Sequence, residues 1–186
     1  VSMLNDRLKE YAEKPESPFL RSSATYGDYI LTNNVEAFEL DVYPKDGQTE
    51  EAVKAAFTEL RRAADFGFTA TEYNRYKQNY TSALDKQYSN KDKRYNSSFV
   101  NRYVHNFLDN IPIPSIDYTY TTMKQLVPML SVDMINALIK EYVLPNDSNL
   151  VVYSLNTEKE GVIYPTEEGL KKAIADARAA QIEAYV

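Results

Sequence analysis

With 186 residues, 44% apolar and 26% charged, the sequence suits one globular domain large enough to bury a core. Its 27 acidic and 21 basic side chains leave a net charge of −6, which argues against nucleic acid or an anionic membrane surface as partner, because both recruit clustered Lys and Arg. There is no cysteine and His105 is the single histidine. Disulfides, thiolate catalysis and a complete zinc site within these residues are thereby excluded. The five glycines are scattered, no G-x-x-x-x-G-K or G-x-G-x-x-G loop occurs, and no apolar run approaches the ~20 residues of a membrane span.

Residues 2–13 read as an amphipathic helix with Met3, Leu4, Leu8 and Tyr11 on one stripe, ended by Pro15 and Pro18. Residues 21–31 read as a strand. The stretch "AFELDVYP" alternates, with Phe38, Leu40 and Val42 inward and Glu39 and Asp41 outward. The "TNN" between them makes residues 21–43 an antiparallel hairpin. A helix over 50–65 follows, with Thr49 as N-cap, Glu50 and Glu51 against the dipole, and Val53, Ala56, Phe57, Leu60 and Ala64 as its buried stripe. Gly67 closes it as a C′ residue.

"FTATEY" then restarts the chain, with Thr69 and Glu72 spaced as a capping box. The helix over 70–88 carries Tyr73, Tyr76, Tyr80, Leu84 and Tyr88 on one face. After the polar break "SNKDKRYNSS", a helix over 92–108 pairs Phe99/Val100, Tyr103/Val104 and Phe107/Leu108 at helical spacing. Two shorter helices, 116–127 and 132–143, are capped by Ser115 and Ser131. "LVVYSL" at 150–155 reads as an interior strand. The tail reads as an Ala-rich helix capped by Thr166, its stripe of Leu170, Ala173, Ile174, Ala177 and Ile182 too small to bury much area.

Strands and helices segregate along the chain, which predicts an α+β layer: an antiparallel sheet of the hairpin and strand 150–155, with helices 50–65, 70–88 and 92–108 on one face. Three strands are few for so many helices, so the sheet is expected to lack members. Residues 1–156 form the domain in this reading, and 157–186 a linker with a terminal helix, dispensable for the fold.

The order of these pieces resembles the insulinase/pitrilysin family of zinc peptidases, the inverzincins. "MLNDRL" resembles the family's "RL" helix, and "GFTATEYNRYK" its Gly-Phe-Thr-x-x-Glu-Leu-x-Arg-x-Lys stretch, with Tyr73 in place of Leu. The helices over 91–143 are similar in order and length, and "SNLVVYSLNTEKEGVIYPTEEGLKKAI" is similar to the strand and linker that leave the second domain of two-halved members. The resemblance implies an insulinase/mitochondrial processing peptidase-like fold, and a non-catalytic second domain of the first half, beginning just after that domain's first strand and helix. It also implies a parent zinc metalloendopeptidase whose zinc-bound water is activated by the glutamate of H-x-x-E-H in a preceding domain. That motif is absent here, so no catalytic or metal-binding residue and no cofactor is assigned to this chain; zinc belongs to the parent.

The partners so implied are the catalytic domain and the second half of the same polypeptide, together with a peptide substrate, in the periplasm or otherwise exported. The Arg and Tyr that hold the substrate backbone in the family's last domain align near Glu13 and Phe19, and neither role is carried over. Tyr73, Tyr76 and Tyr80 are the candidate substrate-facing residues, against a packing role for the same stripe. Glu50/Glu51 and Glu167/Glu168 sit in first helical turns, where the dipole accounts for them, and adjacent helical residues do not share one site. The functional expectation is a chamber wall that orients peptide; the alternatives are a domain of a catalytically inactive relative and an unrelated tyrosine-rich interaction module.

Overall fold

A computed structural model describes residues 1–29, 35–143, 146–158 and 160–186. In chain order it contains α1 (Ser2–Ala12), β1 (Phe19–Asp28), β2 (Glu36–Pro44), α2 (Thr49–Phe66), α3 (Ala70–Ser89), α4 (Ser97–Asp109), α5 (Ile116–Met129), α6 (Val132–Tyr142) and α7 (Glu167–Ala179), with a 3₁₀ turn at Lys91–Lys93. The class is α+β, as the segregation of strands and helices predicted. The chain divides into two compact units, Val1–Thr69 with Asp133–Val186, and Ala70–Val132. No described helix is long and apolar enough to cross a membrane.

The first unit is built on the hairpin. β1 and β2 pair antiparallel, with Ser22 opposite Val42, Ala24 opposite Leu40 and Tyr26 opposite Phe38, after an irregularity between Phe19 and Arg21. The predicted turn at 32–34 lies outside the described residues. Alternation gives the sheet a covered face containing buried Ser22 and Ala24, while Arg21, Thr25, Asp41 and Tyr43 are exposed. α1 packs on β1, and α2 packs on the hairpin chiefly through β2. The Tyr142 ring of α6 lies 4.6 Å from Tyr26 and 6.2 Å from Phe38, centroid to centroid.

The free edge of β1 is closed by a side chain. Asn5 of α1 donates from Nδ2 to the Ala24 carbonyl at 3.0 Å and accepts the Ala24 N–H at 2.6 Å. Both backbone groups are thus satisfied as a neighbouring strand would satisfy them.

α2 buries Ala52, Ala56, Phe57, Leu60, Ala63 and Ala64, close to the predicted stripe, though Val53 is only half-buried. It starts one residue earlier than read: Gln48 is the N-cap and Thr49 the first helical residue. Gly67 ends it at φ 74, ψ −168, a region that glycine alone enters readily.

Asn136 of α6 then clamps the next peptide unit, accepting from Phe68 N–H at 2.7 Å and donating to its carbonyl at 3.1 Å.

Two sequence expectations are corrected here. Residues 150–155 form no strand. Val151 and Leu155 are 70% and 89% exposed, because an apolar run becomes a strand only where a ladder partner exists, and none pairs with it among the described residues. The terminal helix is also not a loose appendage. α7 packs along α2 and buries Ala173, Ile174 and Ala177. Its small side chains let the two backbones approach closely, so little area per residue still makes a tight contact. The helix ends at Ala179, short of Ile182, and Thr166 caps it as read, accepting from Gly169 N–H at 2.9 Å.

The second unit comprises α3, α4, α5 and the 3₁₀ turn. The helices predicted over 70–88 and 92–108 belong to it as α3 and α4; within the first unit the hairpin is covered by α1 and α2, with Tyr142 of α6 against Tyr26 and Phe38. α3 and α5 pack together, and Ser115 caps α5 by accepting from Tyr118 N–H at 3.1 Å. α4 is strongly amphipathic yet has no buried residue: Tyr103, Phe107 and Leu108 of its predicted stripe are exposed.

Candidate functional site

α3 mixes good helix formers (Ala70, Glu72, Arg75, Lys77, Ala83, Leu84) with weaker ones (four Tyr, Asn, Thr and Ser), and Thr69 immediately precedes it. Helical spacing places the three sequence-predicted tyrosines on successive turns, but their environments differ. Tyr73 is buried, and its hydroxyl donates to the Leu130 carbonyl at 2.7 Å, tying α3 to the end of α5. Lys77 lies 5.7 Å from the centre of its ring. Tyr76 and Tyr80 are half-buried, with ring centroids 6.3 Å apart and planes tilted by 33°. The stripe therefore divides into one anchor and a pair of partly accessible rings.

Farther along α3 the sequence reading missed a polar seam to α5. Asp85 pairs with Lys124 at 2.7 Å and accepts the Tyr120 hydroxyl at 2.9 Å. Asp117 pairs with Lys91 at 2.7 Å and accepts the Tyr88 hydroxyl at 2.9 Å. Between these two pairs, the Tyr88 and Tyr120 rings stack at 4.1 Å.

The hydrogen bond from Lys124, then that from Tyr120, holds the Asp85 carboxyl below its ordinary range. Lys91, then Tyr88, does the same for Asp117. The lysines are raised in turn by those carboxylates, and the Tyr120 phenol is raised by its bond to Asp85. Every such group becomes more firmly fixed in its ordinary charge state at neutral pH, the opposite of a tuned acid or base. Each residue is an ordinary Asp, Lys or Tyr, and only their placement across two helices reveals the seam. No sequence signal distinguishes them from other surface charges.

A catalytic zinc does not fit this donor set. His105 is on α4, 2.9 Å from Asp109, and among the described residues no three His, Cys, Asp or Glu side chains converge. Glu50 and Glu51 stand in the first turn of α2, Glu167 and Glu168 in that of α7. The chemistry this surface offers is ring contact from Tyr76 and Tyr80 and paired charge along the seam.

The fold has solved counterparts. The first half of the periplasmic protease PqqL from Escherichia coli matches the whole chain with a TM-score of 0.76 at 16% identity. The larger structure of PqqL matches it equally, with a TM-score of 0.76 at 17% identity. The chain spans 39% of the first and 20% of the second. No protein-family model matches the sequence, and no curated protein does. At this identity the likeness is one of fold.

Proposed function

We propose that this chain is a supporting, non-catalytic domain of an exported zinc metalloendopeptidase of the insulinase type, forming part of the wall that encloses the peptide substrate. The observation that carries the reading is the match of its full length to a part, 39%, of the first half of a periplasmic protease. The order of the "RL" helix, the Gly-Phe-Thr stretch and the helices after it supports the family. The exposed apolar side chains of α4 and of residues 150–155 support embedding in a larger assembly, since large apolar patches seldom remain open to water.

The contribution is positional. A wall remote from the reacting centre holds a long peptide near attack geometry, and the binding energy so gained is expressed in the rate of the chemical step. The catalytic domain and second half of the same polypeptide are the partners, and zinc resides in the former. Tyr76 and Tyr80 are the rings that meet peptide, and Tyr73 holds their helix against α5.

The test compares the full-length parent with a Tyr76→Ala/Tyr80→Ala variant. The expected result is a fall in kcat/KM of about tenfold for long peptides, equivalent to ~1.4 kcal/mol of transition-state binding, with short peptides unchanged. Saturable peptide binding without cleavage by the parent would transfer the role to a binding subunit. Absence of both would overturn the reading.

A further inference from the structure

Beyond α7 the backbone leaves the helix at Ala180 (φ −59, ψ 135) and runs over residues 180–186 without regular secondary structure. Side chains of α1 and α2 hold it, and they bind it as a peptide is bound. Arg61 Nη1 lies 2.7 and 2.5 Å from the Ala177 and Arg178 carbonyls of α7 and 2.8 Å from the Ala180 carbonyl that follows, its two hydrogens shared among the three. Arg62, paired at 3.2 Å with the buried Glu59, donates to the Glu183 carbonyl. Arg7, only 2% exposed, has its guanidinium 4.8 Å from the Phe68 ring and 4.4 Å from the Tyr185 ring, and donates to the Gly67 carbonyl at 2.9 Å. The Tyr185 hydroxyl bonds the Glu10 carboxylate.

The start of the segment borders a cleft. Ile182 forms a wall of this cleft, which is about 740 Å³ and continues past Tyr11, Pro18, Gln48 and Thr58. Among 180–186, Ala180, Ile182 and Tyr185 are the half-buried residues. Bonds to backbone carbonyls accept any sequence, whereas one aromatic ring against a buried guanidinium fixes register.

We propose that the α1–α2 surface is a recognition groove for an extended peptide, that its ligand is the chain's own segment 180–186 read through Tyr185, and that this segment is a latch closing α7 onto α1. The latch has two ends. Arg61 satisfies the last carbonyls of α7, where a cation also complements the helix dipole. Tyr185 engages Arg7 and Glu10 of α1. Because the contacts are those of a ligand in a site, the same segment supplied as a separate peptide should bind.

The experiment uses a chain ending at Ala179 and the amide-capped peptide of residues 180–186 with an amino-terminal fluorophore, followed by anisotropy. Saturable binding is expected, weakened about tenfold or more when the peptide carries Tyr185→Ala. The cap ensures that a free carboxylate is not the recognised group. No saturable binding by a shortened chain whose helix content matches the intact one would overturn the proposal, as would equal binding of both peptides. Should the shortened chain unfold, amide exchange in the intact chain decides. Tyr185→Ala is expected to speed exchange in residues 181–186 and in the last turn of α7, and unchanged exchange there refutes the latch.

Discussion

Replacing Ile174 by Ala tests the packing of α7 most directly. Ile174 is 6% exposed and faces α2 between Ala173 and Ala177, themselves 5% and 0% exposed. Loss of its outer carbons removes burial at ~0.8 kcal/mol per CH₂, or about 2.4 kcal/mol for three. The gap cannot close by side-chain motion, since the flanking residues are alanines, so a cavity term brings the cost to about 3 kcal/mol. For a chain of this size each kcal/mol lowers the midpoint by roughly 2–4 °C, so a drop of about 6–12 °C is expected. Circular dichroism melting with calorimetry reads the shift, and Lys171→Ala is the control. The Lys171 side chain is 72% exposed and its pair with Glu167 lies in solvent, a setting in which ion pairs contribute little. A midpoint for Ile174→Ala indistinguishable from the control would refute the reasoning and restore the terminal helix to a dispensable linker.

Gly67→Ala is expected to destabilise by roughly 2–4 kcal/mol, from backbone strain at its positive φ and disturbance of the Asn136 bonds to Phe68. A β-carbon there would stand 2.5 Å from the Asn136 amide, and urea denaturation measures the loss. The α3–α5 seam should respond to acid in one direction. The Asp85 and Asp117 carboxyls, 3.8 in the unfolded chain, are depressed by their lysines. Their contribution is therefore complete above that value and lost as pH falls through the lower folded values. Carboxyl carbon NMR titration should place the Asp85 midpoint below 3.8, and Lys124→Met should raise it. A midpoint indifferent to that substitution would dissolve the pair.

The elements with a strict period were legible in the sequence. Alternation at Phe38, Leu40 and Val42 located the second hairpin strand, and Ser115 and Thr166 marked helix starts by the chemistry of their hydroxyls. What failed has a common cause. Residues 150–155 were read as a strand from their apolarity and from their likeness to a family strand, and neither says whether a ladder partner exists. The stripe of α4 was read correctly as amphipathic, but a moment specifies a face and not what covers it. α7 was undervalued because small side chains suggest small area, whereas Ala at a helix contact signals close approach. Long-range polar bonds such as Asn5 to Ala24 or Asn136 to Phe68 leave no trace in a local pattern, since any surface Asn looks the same. Tyr73, Tyr76 and Tyr80 shared a face as read, but the different surroundings of Tyr73 depended on where α5 returned.

A wall that acts by position is only as useful as its shape is persistent, since a displacement of about 1 Å at the reacting centre can cost a hundredfold in rate. The two units meet that demand differently. In the first, the decisive bonds run from side chains to backbone: Asn5 to Ala24, Asn136 to Phe68, Arg61 to the end of α7. Such bonds fix the path of the main chain itself. In the second, besides the Tyr73 anchor and the Tyr88–Tyr120 stack, α5 is held by pairs of long side chains, Asp85 with Lys124 and Asp117 with Lys91. Pairs of this kind contribute little each and re-form in more than one geometry. On the proposed reading, the rings that meet peptide, Tyr76 and Tyr80, belong to the second unit, whose polar seam can re-form around different peptides. Such adaptability would suit the proposed chamber, where substrates share a backbone but not a sequence.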